Sequence, residues 1–210
     1  MVEGQIRPNR VTDPALIVAL ESIPRELFVP KIGEGVAYID EEICVGHGRS
    51  LLEPMVLARL LQAAEIAPDD AVLDIGCATG YSTAVLARVA GSVVAVESQP
   101  ELAAQATKAL AAVGADAAVV EGPLVDGYPQ RGPYNVIVIN GAVADVPEAI
   151  LEQLADGGRL VAVVASAHAF VPLGQARLYR RIGGTFPGVP LFETHATILP
   201  GFEFKPRFVF

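Results

Sequence analysis

The sequence predicts an α/β fold with a mostly parallel, twisted sheet, helices on both faces and an antiparallel strand pair near the C-terminus. Short β-rich runs alternate with Ala- and Leu-rich helical runs between residues 54 and 164. The run 71–75 ends in a glycine and leads directly into a helical run. Two later β-rich runs are joined by the Gly-rich segment 183–188, which is typical of an antiparallel pair.

Composition and charge exclude several classes of protein. Hydrophobic residues make up 52% of the 210 residues, so a large core is available. The formal net charge is −9 and the Lys and Arg residues are scattered, whereas phosphate binding needs a basic surface. No apolar run reaches the roughly 18 residues of a membrane helix. The two cysteines lack disulfide or metal spacing. We therefore expect a cytoplasmic protein that binds neither nucleic acid nor membrane.

Two regions are predicted along the chain. Residues 1–53 are irregular and Pro-punctuated, with one helix from Pro14 to Glu21, and are expected to pack on the core as an N-terminal extension. Residues 54–210 are expected to form one compact domain. Helical periodicity, β-branched runs and turn residues predict its elements in this order: helix 53–64, strand 71–75, helix 79–89, strand 92–96, a helix opened by a capping box at 98–101, strands 117–120 and 135–139, helix 147–154, strand 159–164, and strands 176–182 and 192–199.

The turn Gly76-Cys77-Ala78-Thr79-Gly80 is the predicted ligand site. Glycine at 76 permits a sharp turn, and small residues at 78–80 let a ligand approach the backbone. The turn opens a helix at the carboxyl end of a parallel strand, where doubly wound sheets bind their ligands.

Glu97 ends the next strand, where an acid can accept both hydroxyls of an adenosine ribose. A nicotinamide or flavin dinucleotide would favour glycines at positions 78 and 81, which are Ala and Tyr here. S-adenosyl-L-methionine has no pyrophosphate and does not need that geometry, and Asp74 is placed to help at its amino group. We therefore predict S-adenosyl-L-methionine as the cofactor. An ordinary strand–turn–helix corner is the alternative, but it does not account for Glu97.

Several segments together resemble the protein-L-isoaspartate (D-aspartate) O-methyltransferase family. They are VLDIGCATGYSTAVLA at 72–87, IPRELFVP at 23–30, AYID at 37–40, GYP at 127–129 and QLADGGRLV at 153–161. The resemblance implies a Rossmann-like, S-adenosylmethionine-dependent methyltransferase fold. It also implies methyl transfer to the isoaspartyl carboxylate of damaged proteins, whose ester collapses to a succinimide that can reopen as aspartate.

Two positions depart from the family pattern. The family segment G-x-T-I-S-x-P is Gly48-Arg49-Ser50-Leu51-Leu52-Glu53-Pro54 here, so Ser50 keeps one hydroxyl and Leu52 replaces the other. Loss of that hydrogen bond is expected to cost about 1–3 kcal/mol, or one to two decades in rate. The family G-D-G is Gly122-Pro123-Leu124, which offers backbone but no carboxylate to the adenine.

These observations and the resemblance nominate a set of site residues. Ser50 and Arg49 are candidate catalytic residues, because a guanidinium beside the pocket can hold a substrate carboxylate. The alternative is that Arg49 pairs with Glu53 or faces solvent. The three histidines, His47, His168 and His195, share no ligand spacing, so no metal site is expected. The candidate cofactor-binding residues are Ser50, Leu51, Asp74, Gly76, Ala78, Thr79, Gly80, Glu97, Ser98, Pro123, Leu124 and Asn140.

The leading functional hypothesis is an O-methyltransferase acting on isoaspartyl proteins or peptides, as a monomer or weak homodimer. Leu52 and Pro123 leave three alternatives open: a non-enzymatic cofactor-binding relative, an enzyme for another carboxylate, and a methyltransferase for a small metabolite. A nicotinamide oxidoreductase is the most distant alternative.

Overall fold

The computed structural model describes residues 1–166 and 173–204, with the side chains of residues 32–34 left out. His168 lies outside the described residues. The helices are α1 (Pro14–Ser22), α2 (Pro54–Ala63), α3 (Tyr81–Val89), α4 (Pro100–Ala112) and α5 (Glu148–Leu151). The strands are β1 (Ile43–Gly46), β2 (Arg49–Leu51), β3 (Ala71–Ile75), β4 (Ser92–Glu97), β5 (Ala118–Glu121), β6 (Tyr134–Val143), β7 (Leu154–Ala165), β8 (Gly174–Arg180) and β9 (Gly188–Thr194).

The central sheet has the strand order β5-β4-β3-β6-β7-β8-β9. Strands β3 to β7 pair in parallel, while β8 and β9 each pair antiparallel to their neighbour. The predicted α/β class, with a mostly parallel sheet and antiparallel C-terminal strands, is confirmed. The strand order reverses between β3 and β6, and the crevice outside their carboxyl ends is the place where such sheets bind ligands.

Each face of the sheet buries its own apolar cluster. Residues of β3 contribute to both clusters: Val72 belongs to the cluster on one face, and Leu73 and Ile75 belong to the cluster on the other. The first face is covered by α1 to α4, and the second by α5 and residues 199–202, which contribute Leu199 and Phe202. Helices therefore cover both faces, and a C-terminal segment shares the second face with α5.

The N-terminal residues combine short helical turns, α1 and a β-hairpin. The side chain of Asp13 accepts hydrogen bonds from the backbone of Ala15 and Leu16, as expected for the predicted helix start. Strands β1 and β2 form a separate two-stranded sheet that the sequence did not predict. Each is short, and Gly46 at the end of β1 has positive φ, as do His47 and Gly48 between the strands. So short a hairpin leaves little periodicity to detect.

Three local predictions are wrong. The helix predicted at 147–154 spans only Glu148–Leu151, and β7 begins at Leu154 instead of at residue 159. Ser98 does not cap α4: the helix begins after Gln99, and the Ser98 hydroxyl instead donates to Glu97. The last strand was predicted at 192–199 but spans Gly188–Thr194. Residues 197–199 instead leave β9 and bond to the end of β6, with Leu199 N–H donating to Ala142 at 2.9 Å. This long-range contact is not visible in a local pattern.

None of the described helices has the length and apolar character to cross a membrane.

Gly80 packs the start of α3 against α4, which predicts a measurable effect of Gly80→Ala. Gly80 and Gly114 both have positive φ, so alanine strains the backbone at either position. Only at Gly80 would the new Cβ meet a neighbour closely, at 3.1 Å from the Ala106 Cβ. Gly80→Ala is expected to lower the free energy of unfolding by about 1–3 kcal/mol more than Gly114→Ala. Urea denaturation of the two variants measures this, and equal losses would contradict the packing argument.

Candidate functional site

The glycine turn folds back onto the end of β4. The N–H groups of Gly76 and Cys77 both donate to the Val96 carbonyl, at 2.8 and 3.3 Å. Ala78 takes a left-handed φ of 51°, which alanine adopts at some cost, and its N–H donates to the Glu97 side chain. The turn is therefore held by the neighbouring strand and by one internal hydrogen bond, in which the Gly80 N–H donates to the Cys77 carbonyl at 2.8 Å.

Glu97 is fully buried, and both of its carboxylate oxygens are engaged. One oxygen accepts from the Ala78 N–H at 2.8 Å. The other accepts from the backbone of Ser98 at 2.8 Å and of Gln99 at 3.2 Å. Backbone donors thus surround the carboxylate at the place where the sequence predicts contact with a ribose.

Arg49 completes the surroundings of Glu97. Its Nη1 lies 3.2 Å from Glu97 Oε1, and its Nη2 donates to the Gly76 carbonyl at 2.8 Å. Both side chains of the ion pair have 0% exposure. The alternative that Arg49 pairs with Glu53 or faces solvent is wrong. Burial lowers the pKa of the Arg49 guanidinium, and the charge of Glu97 opposes that shift.

Asp74 forms a second buried polar cluster one strand away. Its carboxylate accepts hydroxyl hydrogen bonds from Ser82 at 2.9 Å and Thr83 at 2.6 Å, and the side-chain amide of Asn140 also donates to it. Burial raises the pKa of Asp74 to about 6, although these three hydrogen bonds favour the charged form. The cluster ties β3 to α3 and β6 below the glycine turn.

A small cavity lies between the hairpin and the glycine turn. Its volume is about 10 Å³, enough for about one water molecule. The residues that line it are Ser50, Leu51, Leu52, Leu57, Gly76, Cys77, Ala78, Tyr81, Ser82 and Asn140. Five of the predicted cofactor-binding residues therefore meet here: Ser50, Leu51, Gly76, Ala78 and Asn140.

The other predicted residues lie around this point in different environments. Thr79 is buried and its hydroxyl donates to the Phe28 carbonyl. Pro123 is exposed at the turn after β5, whereas Leu124 is buried in the core. The Gly122 N–H donates to the Glu97 carbonyl at 3.1 Å, which places this turn beside the end of β4. Burial also raises the pKa of the Cys77 thiol, so the turn does not activate it.

Leu199 is a site residue that the sequence did not indicate. A Cβ added at Gly76 would lie 3.2 Å from the Leu199 Cδ1 and 2.7 Å from the Arg49 Nη2. A Cβ added at Gly141 would lie 2.4 Å from the Leu199 Cδ2. Two side chains from distant parts of the chain thus cover the open side of the turn. The sequence nominates Arg49, whereas only its contacts in the fold identify Leu199.

The donor set fits an adenosine cofactor, but the available space is small. An acid at the end of β4, a turn of small residues and a polar cluster at the end of β3 supply the groups that such a ligand needs. Small-molecule sites usually enclose about 300–1,000 Å³. The cavity here is far smaller, and Arg49 and Leu199 pack against Gly76 beside it.

No group of three or more His, Cys, Asp or Glu side chains is arranged to hold a metal ion within residues 1–166 and 173–204.

Comparisons with known proteins agree on one family. A family model described as protein-L-isoaspartate(D-aspartate) O-methyltransferase matches residues 1–177. A protein-L-isoaspartate O-methyltransferase from Methanoculleus marisnigri is 42% identical over 165 residues, which is 78% of this chain and 75% of the relative. One from Methanoregula boonei is 39% identical over 165 residues, covering 78% of this chain and 76% of the relative.

Solved structures with the same fold carry the same name. One, a protein-L-isoaspartate O-methyltransferase, superposes with a TM-score of 0.79 at 25% identity, covering 93% of this chain and 63% of the solved chain. A second, from Plasmodium falciparum and in complex with S-adenosyl-L-homocysteine, has a TM-score of 0.74 at 16% identity and covers 92% and 94% of the two chains. At that identity the second likeness shows the fold alone.

The buried carboxyl of Asp74 predicts a pH-dependent stability. Its pKa is about 6 in the folded chain against an ordinary 3.8, so between these values the folded state binds more protons than the unfolded state. The free energy of unfolding contributed by Asp74 should therefore be highest below about pH 4 and fall by about 3 kcal/mol as the pH rises through 6.

Asp74→Asn is the matched variant, because its amide can still bond Ser82, Thr83 and Asn140. Urea unfolding of both proteins from pH 4 to pH 7 isolates the contribution. The stability of the wild type relative to the variant should decline over this range and level off above it. A constant difference across the range would show that Asp74 does not titrate as stated.

Proposed function

Because this chain belongs to the protein-L-isoaspartate (D-aspartate) O-methyltransferase family, we propose that its site transfers a methyl group from S-adenosyl-L-methionine to the isoaspartyl carboxylate of damaged proteins. Family membership confirms the sequence predictions of a Rossmann-like methyltransferase fold, an S-adenosylmethionine-dependent enzyme and isoaspartyl methylation. The non-enzymatic alternative is not favoured by these matches.

One structural observation carries the assignment of the site. The turn 76–80 and the carboxylate of Glu97 meet at the carboxyl ends of two adjacent parallel strands, joined by the Ala78 N–H. This juxtaposition supports a site for a ribose and the chain attached to it. The cavity that holds Ser50 and Asn140 adjoins the same turn, which supports the acceptor site there.

We assign the cofactor contacts by position around this point. Glu97 would accept the ribose hydroxyls, the glycine turn would lie along the amino-acid portion, and the backbone of Pro123 and Leu124 would border the adenine. Ser50, Leu51, Asp74, Gly76, Ala78, Thr79, Gly80, Glu97, Ser98, Pro123, Leu124 and Asn140 remain the proposed set. The cofactor supplies an electrophilic methyl group when it is bound.

The acceptor chemistry places modest demands on the protein. A carboxylate is already ionised at neutral pH, so it attacks without a strong general base. The protein's contribution is to hold the carboxylate in line and exclude water. Ser50 can donate a hydrogen bond to the acceptor, whereas Leu52, buried at the same cavity, can only pack against it. Arg49 is committed to Glu97, so a role in holding the substrate would require it to move.

The proposal extends to the partner and to the compartment. We propose protein or peptide substrates with isoaspartate as the partners, and the cytoplasm as the compartment, where the free thiols of Cys44 and Cys77 stay reduced. We propose a monomer or weak homodimer as the oligomeric state.

The proposed reaction predicts a specific methyl ester. Incubation with methyl-labelled S-adenosylmethionine should label an isoaspartyl peptide in a base-labile form, and leave the same peptide with ordinary aspartate unlabelled. Absence of ester on the isoaspartyl peptide, with cofactor binding demonstrated, would rule out this substrate class.

Leu52 predicts a gain of function in the same assay. Leu52→Ser restores a hydroxyl at the cavity and should raise kcat/KM for the isoaspartyl peptide by about 10- to 100-fold. Leu52→Ala is the matched control, because it removes the same bulk without adding a donor. An equal gain in both variants would assign the effect to space rather than to hydrogen bonding.

A further inference from the structure

We propose that Arg49 is an internal competitor of the cofactor: it binds Glu97 in place of the ribose hydroxyls and, with Leu199, keeps the cleft shut until the cofactor displaces it. This inference rests on the proposed function, since it concerns the affinity of the same site for S-adenosylmethionine. It identifies Arg49 as a residue that sets cofactor affinity.

Competition follows from the way the Glu97 carboxylate is occupied. Ala78, Ser98 and Gln99 donate to it through backbone N–H groups that belong to the fold itself. Arg49 is different, because it reaches Glu97 from a hairpin outside the central sheet. A ligand that donates hydroxyls to Glu97 can replace the Arg49 contact and leave the backbone contacts in place.

Arg49 and Leu199 also fill the space over the turn. The Arg49 Nη2 and the Leu199 Cδ1 both lie within contact distance of a Cβ placed on Gly76. Glycine normally keeps such a turn open to a ligand, but here the freed space holds two side chains of the chain itself. Leu199 is held in place by the pairing of residues 197–199 with the end of β6. The hairpin, through Arg49, and the C-terminal segment, through Leu199, therefore meet at the same point over the turn.

The contacts of Arg49 make its displacement feasible. Among the described residues its Nε is buried without a hydrogen-bond partner, so the guanidinium is incompletely satisfied. Strand β2 that carries it has three residues and pairs with β1 alone, with an irregular register next to the turn. Neither β1 nor β2 pairs with the seven-stranded sheet, so a shift of the hairpin leaves the hydrogen bonds of that sheet in place, and a ligand that donates to Glu97 replaces the Arg49 bond to it.

Calorimetric titration of the full chain with S-adenosyl-L-homocysteine tests the proposal. Arg49→Gln removes the charge, and Leu199→Ala opens the space. Arg49→Gln should bind about 10-fold tighter than wild type or better, with a smaller gain for Leu199→Ala, because the competitor is weakened. Arg59→Gln and Leu178→Ala are matched controls away from the turn, since Arg59 packs on the Phe192 ring and Leu178 is a buried leucine of β8, and their Kd should equal that of wild type.

The outcomes separate this inference from the proposed function. If wild type binds and Arg49→Gln binds equally or more weakly, the competition is overturned and the cofactor site stands. If neither wild type nor any variant binds, the cofactor site and the competition both fail.

Hydrogen exchange of the wild type provides a second test that does not require a folded variant. Saturation with S-adenosyl-L-homocysteine should lower the protection of residues 43–51, because the hairpin must withdraw Arg49. Unchanged or increased protection of this hairpin on binding would overturn the proposal.

Discussion

The pairing of the buried Glu97 carboxylate is the interaction on which the rest of the site depends. Removing one partner of a buried ion pair costs about 3–5 kcal/mol, because the other charge stays desolvated. Glu97 is held by Arg49 and by backbone donors from the glycine turn and the start of α4. The acid therefore fixes the turn, the end of β4 and the hairpin relative to one another. A ligand that enters has to keep Glu97 satisfied while it does so.

Asp74 meets the same requirement by a different route. Its partners are the hydroxyls of Ser82 and Thr83 and the amide of Asn140, none of which carries charge. Neutral donors compensate a buried carboxylate less fully than a cation does, and its pKa is accordingly raised. Glu97 adds a small contribution of the same sign. The charge of Arg49 thus balances one of two neighbouring carboxylates. A ligand that displaces Arg49 stabilises both carboxylates best if it brings a positive charge, as a sulfonium does.

The parts of the site that the sequence predicts are those set by local pattern. Strand β3, the turn 76–80 and Glu97 at the end of β4 occupy adjacent positions because short parallel strands and their turns are encoded in contiguous residues. The direction of Arg49 is not local, since its partner lies 48 residues away and an arginine on a short hairpin is compatible with many partners. Leu199 lies even farther along the sequence from the turn that it covers. Its position is set where residues 197–199 leave the edge of the sheet, whereas the apolar periodicity of these residues predicts a continued strand.

The segment 48–54 contains both the competitor Arg49 and one of the two departures from the family pattern, Leu52. Ser50 lines the acceptor cavity, Leu52 replaces a hydroxyl at that cavity, and Arg49 lies between the turn and Glu97. Strand β2 therefore cannot move without changing both the cofactor contact and the acceptor contact. A rigid withdrawal of β2 would free Glu97 but remove Ser50 from the cavity. Productive binding therefore requires β2 to return to the cavity when the substrate binds to the cofactor complex. Occupation of Glu97 then precedes assembly of the acceptor site, which makes cofactor binding before substrate the order that this geometry favours.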